Sequence, residues 1–157
     1  MEQLFDYISK RIDLTKEVKE FTKSISTIKK LKNGDVLINE NQIVNKTYFV
    51  LEGCIRSYVF DSVGKEHTLQ FALKNDWISD YIAIFNNEKS SQTVECIADS
   101  IVVETSVSEG IENIFLRFPK IESIHRKNLE RNIVSLQKRI LNQLQLTSLD
   151  RYKIFLK

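Results

Sequence analysis

The chain is poor in the residues that metal and redox chemistry draws on: two cysteines and two histidines stand in 157 residues. An iron–sulfur cluster takes about four cysteine ligands, so it is excluded. Cys54 and Cys96 sit inside apolar stretches and read as buried, reduced thiols. Their spacing makes neither a metal-binding pair nor a disulfide framework. His67 and His125 fall in different predicted elements, so a cluster of two histidines and a carboxylate cannot be read from the sequence. Glycine-rich phosphate loops, a G-x-S-x-G elbow and a Cys–His nucleophile spacing are also missing. The expectation is therefore no catalytic residue, no metal, no cofactor and no enzymatic activity.

Charge of one sign is scarce as well. The formal net charge is +2, which leaves no basic footprint for nucleic acid within these residues. No apolar run approaches the roughly 20 residues of a membrane helix. Met1–Asp6 is acidic and polar rather than a leader. These absences point to a cytoplasmic protein with no membrane contact. With 42% apolar and 28% charged residues, one compact domain with an appendage is expected.

Glycine and proline are few, four and one, so each is informative. Leu4, Phe5, Ile8 and Ile12, then Leu14, Val18, Phe21 and Ile25, recur at helical spacing, with Thr15 a helix cap between the two runs. From Ile28 to Thr105 the pattern changes to short strands. Gly34, Gly53 and Gly64 mark reversals between runs rich in β-branched and aromatic residues: Val36–Ile38, Thr47–Leu51, Ile55–Phe60 and His67–Leu73. Thr93–Ile97 and Ile101–Thr105 follow. Regular short strands with turn signals predict a sandwich or barrel. Helix returns after Val107, and Pro119 suits the first turn of a new helix.

From Pro119 no Gly or Pro interrupts the chain as far as Leu146, about 27 residues or roughly 40 Å of helix. Leu129, Ile133, Leu136 and Ile140 step by 4, 3 and 4; Gln143 breaks the next position and Leu144 lies beside it. Two readings are open: a helix packed along its own barrel, or a seam that pairs two copies. The narrow stripe between Arg126, Lys127, Glu130, Arg131, Lys138 and Arg139 favours the homodimer seam, with Leu144 included. Thr147-Ser148-Leu149-Asp150 has the form of a capping box, opening a further apolar helix through Tyr152, Ile154, Phe155 and Leu156. Either that helix folds back or it begins another domain.

This order of elements, together with Leu31–Leu37, Tyr48–Arg56, Gly64-Lys65-Glu66 running into Leu69–Ala72, and Asn75–Asp80, resembles the Crp/Fnr family of bacterial transcription regulators. The resemblance covers nearly the whole chain. It implies a mainly β fold with flanking helices: a double-stranded β-helix, jelly-roll barrel of the cyclic-nucleotide-binding type, followed by a long dimerisation helix. It also implies three segments. Residues 1–118 would form the N-terminal helices and barrel, 119–146 the dimerisation helix, and 147–157 the start of a DNA-binding domain. The winged helix-turn-helix that would contact DNA is absent from the chain.

In that family a Gly-Glu pair opening a short helix, and an Arg about ten residues later, hold a cyclic nucleotide. The helix start and the Arg meet the phosphate. Here Ser79 stands at the Gly position, Asp80 at the Glu position and Ser90 at the Arg position. Losing a charge-assisted phosphate bond costs about 1.5–3 kcal/mol. Lys89 offers a point charge rather than a fork. Cyclic AMP is thus disfavoured; a different small effector in the same hollow, or an empty scaffold, stays open. The candidate ligand residues are Ser79, Asp80, Tyr81, Ser90, Ser91 and Thr93, with helix capping the alternative role of Ser79 and Asp80. Arg56 and Gln70 lie on strands that could face the hollow, and a solvated face is the favoured reading for either. The expected function is the sensor and dimerisation part of a DNA-binding regulator. A stand-alone binding module is the second reading and a cupin-like metal enzyme the third.

Overall fold

A computed structural model describes residues 1–156. The chain divides into two compact units, one over Met1–Ile121 and one from Glu122 onward.

The first unit opens with α1 (Glu2–Ser9) and α2 (Lys16–Ile25). Thr15 caps α2, its hydroxyl accepting from the Val18 amide at 3.3 Å, as the sequence predicts. Eight strands follow: β1 (Ser26–Leu31), β2 (Val36–Ile38), β3 (Lys46–Glu52), β4 (Ile55–Phe60), β5 (Glu66–Ala72), β6 (Trp77–Ile78), β7 (Thr93–Cys96) and β8 (Ser100–Ser106), with the short helix α3 (Tyr81–Asn86) before β7. They form two four-stranded antiparallel sheets in the orders β1-β8-β3-β6 and β2-β7-β4-β5. Apart from the β4–β5 hairpin, which stays in one sheet, successive strands alternate between the sheets, which is the jelly-roll arrangement. The predicted fold class therefore stands, as an open pair of sheets rather than a closed barrel.

The core lies between the sheets. Ile38, Tyr48, Val50, Ile55, Ala72, Ile78, Val94, Cys96 and Val102 form its buried cluster. Period-2 alternation explains their placing: Tyr48 and Val50 point inward, while Phe49 between them points outward. Phe49 anchors a second layer under α1, with its ring 5.0 Å from both Tyr7 and Trp77. Gly53 makes the β3–β4 reversal at φ +95°; a Cβ there would lie 2.7 Å from Ser100 Cα and 2.5 Å from the Asp99 carbonyl oxygen. The unit closes with α4 (Ile111–Arg117).

Helix α5 starts at Pro119, as the proline predicts, and runs unbroken to Gln145. In the second unit its surface leaves Ile133 54%, Leu136 45%, Ile140 53% and Leu144 78% exposed, so these apolar side chains lack a cover within one chain. Helix α6 (Ser148–Phe155) begins at the predicted cap. Thr147 Oγ1 accepts from the Asp150 amide at 3.2 Å and donates to its carboxylate at 2.6 Å. Arg151 donates to the Gln143 and Leu146 carbonyl oxygens, tying α6 to the end of α5.

Candidate functional site

Three of the six predicted ligand residues, Asp80, Ser90 and Ser91, meet at one carboxylate. Asp80 is fully buried at the start of α3. Its Oδ1 accepts from the Ala83 amide at 3.0 Å, an N-cap bond. Its Oδ2 accepts from Ser90 Oγ at 2.7 Å and from the Ser91 amide at 3.3 Å. The capping role weighed for Asp80 is thus present, and the same side chain also ties the helix start to the segment ten residues on.

Ser90, at the position where the family carries Arg, is 1% exposed. Its Oγ lies 2.7 Å from Asp80 Oδ2 and 2.8 Å from the Gln92 carbonyl oxygen. A hydroxyl has one proton, and the ionised carboxylate is the stronger acceptor. The residue therefore turns its polar atom inward. Ser79 does the same: its hydroxyl donates 2.7 Å to the Lys46 carbonyl oxygen, so it joins β3 rather than capping α3. Tyr81 stacks on Phe85 with ring centroids 6.3 Å apart, one turn along α3. Thr93 opens β7, opposite Tyr58, and strand alternation puts it on the face of Glu95 rather than that of buried Val94.

The segment after α3 is fixed from the other side by the β2–β3 loop. The Asn41 amide donates to the Ser90 carbonyl oxygen at 2.6 Å, and the Ser90 amide donates to the Gln42 carbonyl oxygen at 2.8 Å. Lys89 bridges Ile43 through the backbone.

Two strand residues differ in their placing. Arg56 lies on the outer face, where it donates to Glu95 at 2.9 Å through Nε and to Glu66. These bonds, the Glu95 one first, hold its guanidinium above the ordinary value. Gln70, read as a solvated-face residue, instead pairs with buried Ser57 and faces inward, its Nε2 donating 3.1 Å to the Trp77 carbonyl oxygen. A register shift between Ser57 and Tyr58 moves the outward residues of β4 relative to β5, and no residue pattern announces it. The Glu66–Arg56–Glu95 triad was likewise invisible in sequence, since its members lie on three strands.

Residues 28–114, more than half of the chain, match the model of the cyclic nucleotide-binding domain, and the chain belongs to that family. Among solved structures it is similar to a transcriptional regulator from Eubacterium rectale described as a tentative member of the crp/fnr family. The two are 18% identical with a TM-score of 0.78, over 92% of this chain and 67% of that one. It is similar to the Thermus thermophilus catabolite activator protein (18% identity, TM-score 0.58, 90% of this chain), of which it spans 61%. The sensor domain of the transcriptional regulator DNR from Pseudomonas aeruginosa is matched over 94% of this chain and 92% of its own length, at 12% identity and a TM-score of 0.59. At these identities the likenesses speak for the fold. No curated protein matches the chain.

Proposed function

We propose that the chain is the sensor and dimerisation part of a Crp/Fnr-like, DNA-binding transcription regulator, cytoplasmic and without enzymatic activity, whose effector is a small molecule other than cyclic AMP. The observation that carries the effector reading is the inward turn of Ser90. A cyclic phosphate needs a charged fork at that position. Here the side chain is short, buried and engaged with Asp80. Asp80 in turn has three donors already, from Ala83, Ser90 and Ser91.

Two copies pair through Leu129, Ile133, Leu136, Ile140 and Leu144. The exposure of the last four supports this pairing, because a stripe of that width costs free energy in water. Leu149, Tyr152 and Phe155 on α6 are at least half exposed, which supports a further domain packed on it. Effector binding would bias how the paired helices pack, and so how DNA-reading domains are held.

The test is thermal melting with and without about 1 mM cyclic AMP. Ligand at roughly 100 times its Kd adds about 2.7 kcal/mol, a rise of roughly 5–11 °C for a chain of this size. No rise is the expected result. A rise of that size would restore the cyclic-nucleotide reading.

A further inference from the structure

A hollow lies between the β2–β3 loop and the strands β1, β2 and β3. It has a volume of about 240 Å³. Its place follows from the topology: β1 and β2 are edge strands of opposite sheets, and the sandwich opens where they part. Leu31 from β1, Leu37 and Ile38 from β2, and Val44 from the loop make its apolar wall. Tyr48 closes it, its phenol donating to the Leu37 carbonyl oxygen at 3.3 Å. Burial first, then the Glu104 charge, raises that phenol above its usual value, so it stays neutral.

The charged groups are arranged at one end. Glu104 faces the same side of sheet β1-β8-β3-β6 as Tyr48, with which it pairs in register. Its side chain is 16% exposed and meets the Lys46 ammonium at 2.8 Å. Lys29, exposed on β1, also belongs to the lining, which brings a second lysine to it. Two cations stand against one carboxylate, and that carboxylate is already paired. An added cation would compete with Lys46 for Glu104. An added anion would be attracted by Lys29 and Lys46 together.

We propose that this hollow is a binding site for a small amphipathic carboxylate, its apolar body between Leu31, Leu37, Ile38 and Val44 and its carboxylate at the mouth with Lys29 and Lys46. Size limits the occupant. A cavity of roughly 150 Å³ holds benzene, and drug-sized ligands take at least about 300 Å³. About ten non-hydrogen atoms therefore fit. The site is separate from the Asp80 cluster but linked to it. The loop forming one wall carries Asn41 and Gln42, which bond Ser90, and it leads into Lys46 at the start of β3, whose carbonyl oxygen accepts from Ser79. Occupancy is thus felt at the family's ligand cassette through two backbone hydrogen bonds and one from the Ser79 hydroxyl.

The probe is octanoate, titrated into the full chain and followed by amide chemical shifts. At about 0.3 kcal/mol per atom a millimolar Kd is expected. Saturable shifts should centre on residues 29–31 and 36–46, with smaller ones at Ser90 and Ser91. Octylammonium should bind about fivefold more weakly or worse, and Lys29→Glu, an exposed position that leaves the fold intact, should weaken octanoate by a similar factor. Shifts that do not saturate by about 20 mM, several times the expected Kd, would overturn the site. So would shifts centred on Ser57 and Gln70 without the loop. Equal binding of octanoate and octylammonium, or no effect of Lys29→Glu, would overturn the carboxylate assignment.

Discussion

Asp80 concentrates the chemistry of the site in one side chain, and its substitution separates the bonds it makes. Asp80→Ala removes a helix cap, about 0.5–2 kcal/mol, and a charge-assisted bond to Ser90, about 1.5–3 kcal/mol. The expected loss is about 2–5 kcal/mol, seen as a fall in the denaturant midpoint at unchanged m-value. Asp80→Asn should cost less than half of that, since its carbonyl keeps the cap and the Ser90 hydroxyl turns to accept from the amide. Equal losses would mean that the charge, not the cap, dominates. The sequence made the gathering of Ser79, Asp80 and Ser90 legible, because a resemblance of order and spacing aligned them. It did not reveal which way Ser90 turns, because that depends on a carboxylate ten residues away. A second residue-scale case is Asp61 in the β4–β5 turn, which accepts from His67 and from the Lys65 and Val63 amides. These bonds, the His67 one first, hold its pKa below the ordinary carboxylate value. A lowered folded value means that the turn's stabilisation is complete above the ordinary carboxylate pKa and is lost as pH falls through the lowered one. The Asp61 carboxyl carbon should titrate below the ordinary carboxylate value by NMR and move up in His67→Ala. An unchanged midpoint would remove His67 as the cause.

Among the elements, strands between glycines were legible and edge pieces were not. β3 and β4 are runs rich in β-branched and aromatic residues bounded by Gly53, which both the composition and the turn signal mark. β1, Ser-Thr-Ile-Lys-Lys-Leu, is exposed at its four central positions and has no alternation to read. β6 is two residues long, below any periodicity, and exists because Tyr48 and Phe49 offer it a partner. The glycines differ in what they do, which gives a contrast to measure. Gly53 and Gly64 both have positive φ, +95° and +82°, but a Cβ at Gly64 meets nothing within 4 Å. Gly64→Ala should therefore cost only backbone strain, about 1–2 kcal/mol. Gly53→Ala adds overlap with the Asp99–Ser100 backbone and should cost at least about 3 kcal/mol, or prevent folding. Similar melting temperatures for the two variants would contradict the close approach of β3–β4 to Ser100.

For the whole molecule, the proposed pairing of two copies through α5 makes a specific demand on the spacing of its stripe. Leu129, Ile133, Leu136 and Ile140 fit a heptad, whose next seam position is Gln143. Leu144 offers an apolar residue one position later, and it is 78% exposed. A step of 4 instead of 3 at that point is an inserted stutter, which locally unwinds a left-handed pair. Apolar burial is worth about 25 cal/mol per Å², so a leucine in the seam outweighs an amide there. The pair should thus straighten after Ile140 and keep Leu144 at its axis. Single cysteines read this directly, because a disulfide forms only where Cβ atoms come within about 4.5 Å. Burial raises the native Cys54 and Cys96 thiols and makes them poor competitors. Under mild oxidation Leu144→Cys should cross-link two chains quickly, Gln143→Cys slowly, and Lys138→Cys, on the charged flank, not at all. If Gln143→Cys is fastest, the heptad runs on through the amide. If none links above the level of the native chain, and Ile133→Lys leaves the elution volume on sizing chromatography unchanged, the stripe is not a seam, and the apolar face of α5 belongs to a different partner.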